Sequence, residues 1–522
     1  MDKGWAGWSC LSGGGLLVAR LAGATTIIAH SFSTLVQEVE VIAVGTVTAI
    51  ETEWDAQQGA PFTLVTFSEL TVLKREGGQA ALTLHFLGGP TPDGHILVRA
   101  RLNHEEVRAE KGASMDLILR NGHIAGQDEQ TTVDIGIQNG HITAIESNLS
   151  AEGRELDLRG RLVTPGFIET HIHLDKSCIL DRCQSAEGNL EEVLAQVTTA
   201  KQAFTAEDVH RRAARTLEKC VLHGTTHVRT HLEVDPGIGL RGLDGVLPLI
   251  QEYKWALDLE VCVFPQEGLL NNPGTDELLV AALNQGASVI GAAPYTDTNP
   301  HGQIDRIFAL AREFNVDIDM HLDFGHTFDE MDIEYVCNLT EEFGYGGQVT
   351  VGHVTKMSAI SPERFFAIAQ RLANVGVAVT VLPSTDLYLM GRHQDHSIIR
   401  GVTPAHKLIR RGVTCSLSTN NVLNPFTPFG DCSLMRMANL YANICQVDNQ
   451  EEVRACFDMV TQCSAQILEL EDYGVEVGKA ADLVVLDCAT PEAAVAEVVA
   501  PVYGFKRDRQ TFTRKPAELH RP

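Results

Sequence analysis

Between residues 160 and 418 the chain repeats one pattern eight times: a short apolar run closed by turn residues, then an amphipathic helical stretch. The runs are "GRLVTPGFIE", "THVRT", "LEVCVFP", "ASVIGAA", "VDIDM", "QVTVG", "VAVTVLP" and "VTCSLS". Strands buried on both faces read as continuous apolar text, and strand–helix alternation requires parallel pairing through crossovers. Eight such units predict a closed (β/α)8 barrel, since an open doubly wound sheet usually has fewer strands and one ligand crevice. The intervening text carries helix punctuation. "TAEDVHRRAARTLEKCVLHG" opens on Thr205 as N-cap and stops at Gly224, and "SPERFFAIAQRLANVG" has Ser361 as cap with Pro362 at the first helical position.

At 522 residues the chain exceeds a single hydrophobic core, so further units are expected outside the barrel at 164–474. Alternating runs such as "VEVIAVGTVTAIETEW" and "FTLVTFSELTVLK" predict a small all-β module at 36–112. Two terminal β-rich pieces, 113–163 and 475–522, predict a composite β-sandwich built from both ends of the chain. Asn121-Gly122 and Asn139-Gly140 are dipeptides of the kind that close hairpins. Residues 1–35 read as an N-terminal extension expected to be poorly ordered. Their apolar text "GGGLLVARLAGATTIIAH" is broken by Arg20 and too short for a membrane span.

The formal charge of −27, from 41 basic and 68 acidic residues, opposes binding to nucleic acid or anionic membranes. Twelve cysteines without a C-x-x-C pair, several of them in apolar periodic text, point to a reducing, cytoplasmic setting.

Polar residues collect directly after the apolar runs: His171 and His173 after the first, His231 after the second, Gln266 and Glu267 after the third. His321, Asp323 and His326 follow the fifth, His353 the sixth, and "STNN", Ser418 to Asn421, the eighth. In a parallel barrel all these ends share one face, where catalytic groups lie. A lone histidine such as His231 or His326 is more often a hydrogen-bonded structural group than a ligand. The His-x-His pair is different, because residues i and i+2 of a strand point to one side and deliver two imidazoles to one cavity. With His321 and His353 on later strand ends, the set predicts a metal site. Gln266 and Glu267 either end a strand or face a ligand; Asp323 either orients an imidazole or is a solvated loop acid.

The ordered segments "VTPGFIETHIHLDK", "HVRTHLEVD", "VFPQEGLL", "DIDMHLDFG", "VTVGHVTKM", "LMGRHQDHSIIRGVTPAHKLIRRGV" and "NPFTPFGD" resemble the amidohydrolase superfamily, in its cytosine deaminase and N-isopropylammelide amidohydrolase branch. The likeness runs from about Met115 to Arg514. It implies one zinc or iron ion held by residues matching His171, His173, His321 and Asn420, with His353 positioning water or ligating. It also implies substrate contacts from Gln266, Phe324 and Asn421, and a catalytic set of His353, Asn420 and Asp323. No lysine occurs in "VIGAAPYTDT", where two-metal members carry a carboxylated one, so one ion is expected.

Two departures set the question. Cytosine deaminases carry a proton-shuttling glutamate where this chain has Phe324, and an aspartate ligand where it has Asn420. An amide accepts hydrogen bonds but has no useful basicity at neutral pH. The expected function is hydrolysis of non-peptide C–N bonds in a small heterocycle, cyclic amide or amidine, with the substrate as partner and a homo-oligomer compatible. The alternative is a catalytically silent barrel that binds a ligand. His353, Asp323, Glu267 and Asp386 are the groups available to replace the lost base.

Overall fold

The computed structural model describes residues 114–126, 131–183, 189–325, 327–515 and 517–521 in full, and before them the backbone of the strands named next and of Ala113. Two compact units divide the chain, Met1–Glu110 and Lys111–Pro522. In the first, strands Ala6–Trp8, Leu16–Ala19, Ile42–Asp55, Ala60–Val72, Thr83–Leu87 and Arg99–Arg101 form one six-stranded sheet in chain order. The expected disorder of residues 1–35 lies outside the described residues, apart from the two short strands there.

The second unit contains an eight-stranded parallel barrel. Its strands are β1 (Phe167–Ile172), β2 (Thr225–Glu233), β3 (Asp258–Phe264), β4 (Val289–Ile290), β5 (Asp317–Leu322), β6 (Val349–His353), β7 (Val377–Val381) and β8 (Cys415–Leu417). All are parallel in sequence order. The seam between β8 and β1 is closed by the segment that follows β8. The Thr170 backbone N–H donates to Ser418 Oγ at 3.0 Å, Asn420 N–H to the His171 carbonyl at 2.9 Å, and His173 N–H to the Asn420 carbonyl at 2.9 Å.

Helices cover the barrel as their sequences direct. In Ala206–Leu222 the Thr205 side chain accepts from Asp208 N–H, two acids occupy the first turn, and Lys219 sits in the last, each complementing the helix dipole. Val209, Ala213, Leu217 and Cys220 form its buried stripe, and full burial of each larger apolar side chain contributes about 1.5–3 kcal/mol. Ser361 caps Pro362–Val375 through Arg364 N–H, with Pro362 at its first position.

The second sheet runs Arg509–Thr513, Pro501–Lys506, Leu483–Leu486, Leu162–Pro165, Ala113–Ile124, Val133–Gln138, His141–Glu146, with Ala151–Asp157 also paired to Ala113–Ile124. Both chain ends therefore supply strands to it. Two local expectations change. "GRLVTPGFIE" is not one strand: Leu162–Pro165 pairs with Leu483–Leu486, and the chain crosses at Gly166 into β1. A Cβ at Gly166 would lie 2.2 Å from the Thr226 side chain, so only glycine allows that crossing. Asn139 (φ 51°) and Gly140 (φ 77°) do close a hairpin. Asn121 (φ 54°) instead sits in a bulge inside Ala113–Ile124, where the pairing with Val133–Gln138 shifts between Leu119 and Gly122.

Candidate metal and catalytic site

Three imidazoles from two strand ends meet at one point. His171 Nε2 lies 3.1 Å from His321 Nε2, which lies 3.1 Å from His173 Nε2. The rings stay in place because their other contacts are fixed. His173 Nδ1 donates to the His231 carbonyl at 2.9 Å, and Phe264 stacks on His321 with centroids 4.3 Å apart. His231 itself stacks on His171 at 3.6 Å, and Asp319 Oδ1 lies 3.9 Å from His171 Nδ1 and 3.3 Å from His231 Nε2. His171, His231 and Asp319 thus bring possible ligand atoms within 4.8 Å of one another on the inner side of the cluster. Gly352 on β6 leaves room for the His171 ring, since a Cβ there would be 3.3 Å from its Cε1.

This cluster cannot satisfy itself with protons. His173 Nδ1 carries the hydrogen that goes to a carbonyl, so its Nε2 is a lone pair; a proton on His321 Nε2 serves one neighbour and not both. Burial first, and neighbouring imidazoles second, hold His171 well below the ordinary histidine range. For His173 burial is again largest, followed by Lys176, and for His321 burial is followed by His171. Neutral imidazoles with inward lone pairs are cation ligands. A zinc ion about 2.0–2.1 Å from two imidazole nitrogens sets them about 3–3.4 Å apart, the spacing seen for His171–His321 and for His321–His173, and His171, His321 and His353 also offer ligand atoms within 4.8 Å of one another.

Asn420 adds an oxygen. Its side chain is buried, its Oδ1 has no hydrogen-bond partner, and its backbone is left-handed at φ 62°. His353, at φ 68°, and Val354, at φ 42°, share that conformation; for a β-branched valine it is a real strain, concentrated at the end of β6. His353 Nδ1 lies 2.6 Å from Asp386 Oδ1, and Asp386 Oδ2 accepts from Leu382 N–H at 3.2 Å. Because the carboxylate only accepts, the His353 proton sits on Nδ1 and Nε2 is left as the basic nitrogen.

The cleft above this cluster is narrow, with a volume of about 20 Å³. Gln266, Phe324, Asn420 and Asn421 line it together with His173, His321 and His353. Phe324 stands edge-on to His353 with centroids 5.2 Å apart. Asn421 Oδ1 accepts from Asn424 Nδ2 at 2.7 Å, which turns its NH2 end toward a ligand. Lys176, Tyr295, Thr385 and Phe426 also line the cleft and were not singled out in the sequence. Their signal was position: Lys176 follows the His-x-His pair in "HIHLDK", while Tyr295 and Thr385 follow β4 and β7. Lys176 Nζ is 2.6 Å from Glu233 Oε1, 3.4 Å from Gln266 Oε1 and 4.6 Å from the Phe426 ring centre. Its charge is therefore already answered. Burial pushes the Tyr295 phenol well up, so it stays protonated.

Two expected acids lie elsewhere. Asp323 is not among the lining residues; its carboxylate accepts from Asp332 and Ile333 N–H at 2.9 and 3.0 Å, at the start of helix Ile333–Phe343. Burial raises it to about 6. Its place is at a helix terminus, where a carboxylate answers free N–H groups, and not beside the imidazoles. Glu267 turns to Thr198 Oγ1, at 2.6 Å, and to Lys201. His326 lies outside the described residues.

An amidohydrolase family model matches residues 154–245 and 251–518. N-isopropylammelide isopropyl amidohydrolase of Pseudomonas sp. strain ADP is 29% identical over 408 residues, 76% of this chain and 96% of that protein. The pterin deaminase of Rhizobium rhizogenes is 26% identical over 67% of this chain and 81% of its own. Among solved structures, the 5-methylcytosine deaminase of Klebsiella pneumoniae bound to 5-fluorocytosine superposes with a TM-score of 0.74 at 26% identity, covering 78% of this chain and 99% of that one.

Proposed function

The chain belongs to the amidohydrolase family, and on that premise we propose that it is a metal-dependent hydrolase of a non-peptide C–N bond in a small, uncharged heterocycle, cyclic amide or amidine. The observation that carries this reading is the gathering of buried imidazoles, with His321 Nε2 3.1 Å from the Nε2 atoms of both His171 and His173 and with His171, His321 and His353 ligand atoms within 4.8 Å of one another, in a cleft that Asn420, whose Oδ1 has no hydrogen-bond partner, also lines. His171, His173, His321 and the Asn420 amide oxygen would hold one divalent ion, zinc or iron. When bound, the ion supplies Lewis-acid polarisation of the scissile centre and eases deprotonation of the attacking water.

The rest is done by this chain's own side chains. His353 Nε2 takes the water's proton, and Asp386 keeps Nδ1 protonated so that Nε2 stays free to do so. In acid form His353 then returns that proton to the leaving nitrogen. Gln266, with its oxygen near Lys176, presents its NH2 to a substrate acceptor, and the Asn421 NH2 offers a second donor. Phe324, Phe426 and Leu389 make the apolar walls that a flat ring requires and keep bulk water out. Since Lys176 is paired to Glu233, the cleft favours a neutral ring over an anionic one.

The silent-barrel reading draws on one observation: the residues lining the cleft include no carboxylate. The His353–Asp386 pair answers it, because a buried carboxylate one hydrogen bond behind an imidazole gives that imidazole the tautomer of a base. The test is release of ammonia or amine from a panel of amino-substituted triazines, pyrimidines and pterins and of cyclic amides, with His321→Ala as control. Turnover of one or more substrates, abolished in the variant, supports the proposal. No turnover across the panel, or turnover unchanged in His321→Ala, refutes it.

A further inference from the structure

Outside the barrel mouth, four arginines gather around one cavity. Arg211, Arg212 and Arg215 come from helix Ala206–Leu222, and Arg182 from the turn Leu180–Arg182. The cavity is open to solvent, measures about 690 Å³, and is completed by Leu180 and Leu423. On a chain with formal charge −27 such a concentration of guanidinium groups is against the general trend.

The charges there do not balance. Asp208 serves three of the arginines at once: Arg182 in a two-pronged pair at 2.7 and 2.7 Å, Arg211 at 2.6 Å and Arg212 Nε at 3.0 Å. Asp181 also lines the cavity and the Asp175 carboxylate acts on Arg212, so among the described residues three carboxylates answer four guanidinium groups. Among the described residues Arg215 has no carboxylate partner. Arg212 is buried, stacks on Phe204 with its guanidinium carbon 4.5 Å from the ring centre, and leaves Nη2 without any hydrogen-bond partner. Like charges held this close repel unless an anion joins them, and a planar fork with free N–H groups matches an oxyanion.

The cavity is also built rather than incidental. Arg212 Nη1 donates to the carbonyls of Asp175 and Ser177 at 2.7 and 2.9 Å. Ile179 and Leu180 N–H both reach the Leu423 carbonyl at 3.0 Å, so the two segments that wall the cavity are joined to each other. The same two segments carry Lys176 and Asn421 on their way to the catalytic cleft.

We propose that this cavity is a second site, separate from the catalytic cleft, that binds a small dianionic ligand. The oxyanion end lies among Arg182, Arg211 and Arg215, and a short apolar portion rests on Leu180 and Leu423. A phosphate ester and a dicarboxylate share this chemistry.

Isothermal titration of the full chain with inorganic phosphate, and separately with succinate at matched ionic strength, tests it. Saturable one-to-one binding of either anion is expected, weakened about tenfold in Arg215→Ala and in Arg211→Ala. Both side chains are exposed, so the variants should melt at the native temperature without ligand. Binding of phosphate alone assigns the phosphorylated class, and of succinate alone the dicarboxylate class. No saturable binding of either anion, or binding unaltered in both variants, overturns the proposal.

Discussion

Replacing Asp386 by asparagine separates a base held in one tautomer from a histidine that merely sits nearby. Asp386 bridges two donors, His353 Nδ1 at 2.6 Å and the Leu382 backbone N–H at 3.2 Å, and it is fully buried. In Asp386→Asn, one end of the amide must face each group. The Leu382 N–H can only donate, so it selects the amide oxygen and turns the NH2 toward His353. Nδ1 must then accept, its proton moves to Nε2, and the nitrogen facing the cleft is no longer a base. General-base transfer is worth about 10²–10⁴ in rate, so kcat should fall by about that factor, or about 2.7–5.5 kcal/mol of barrier. Shape and volume hardly change, and Asp386 is not placed as a metal ligand, so metal content and melting temperature should hold. The assay is kcat from amine release, normalised to bound metal. A kcat within about threefold of native at full metal content would sink the claim that His353 accepts the proton.

Other perturbations address other parts of the account. Asn420→Asp should bind the ion more tightly in a competition titration with a chelator while the native chain retains measurable turnover; activity confined to the variant would argue for the silent barrel. Glu233, buried between Lys176 Nζ at 2.6 Å and Lys201 Nζ at 3.1 Å, leaves the Lys176 ammonium without its carboxylate when changed to glutamine, while Lys201 keeps Asp235 at 2.6 Å. Glu233→Gln should lose about 3–5 kcal/mol in urea unfolding, and a loss under about 1 kcal/mol would contradict it. Burial, then Lys506, lowers His227 from 6.5 to about 4, which places its stabilising effect above the unfolded value. Folded-state stability should therefore be lost as pH falls from 6.5 toward 4, and His227→Gln should flatten that dependence of melting temperature; an unchanged profile would count against it.

The barrel was legible because apolar runs closed by turns and helices opened by caps are local signals, and their eightfold count specifies closure. The clustering of polar residues at one end of the barrel was legible for a related reason. Parallel strands send all their ends to one face, so polar residues after apolar runs collect there, as His173, His321, His353 and Asn420 do in lining one cleft and as His171 does in reaching His321. Direction was not legible. Asp323 and Asn420 both follow strand ends, yet Asp323 turns to helix N–H groups while Asn420 lines the cleft, a choice made by packing and not by spacing. The Asp386 contact with His353 spans 33 residues and joins two strand ends, which no local pattern encodes. The split at Gly166 was hidden because "LVTP" and "GFIE" are equally apolar and only their partners differ. Among the described residues no helix is long and apolar enough to cross a membrane.

The central claim is that three neutral imidazoles and an asparagine oxygen hold a catalytic ion. Elemental analysis of the purified native chain beside His321→Ala addresses it most directly. The account expects about one zinc or iron per native chain and a small fraction of that in the variant. A native chain that takes up neither metal even when supplied with both, or a His321→Ala variant that retains the full amount, would contradict it.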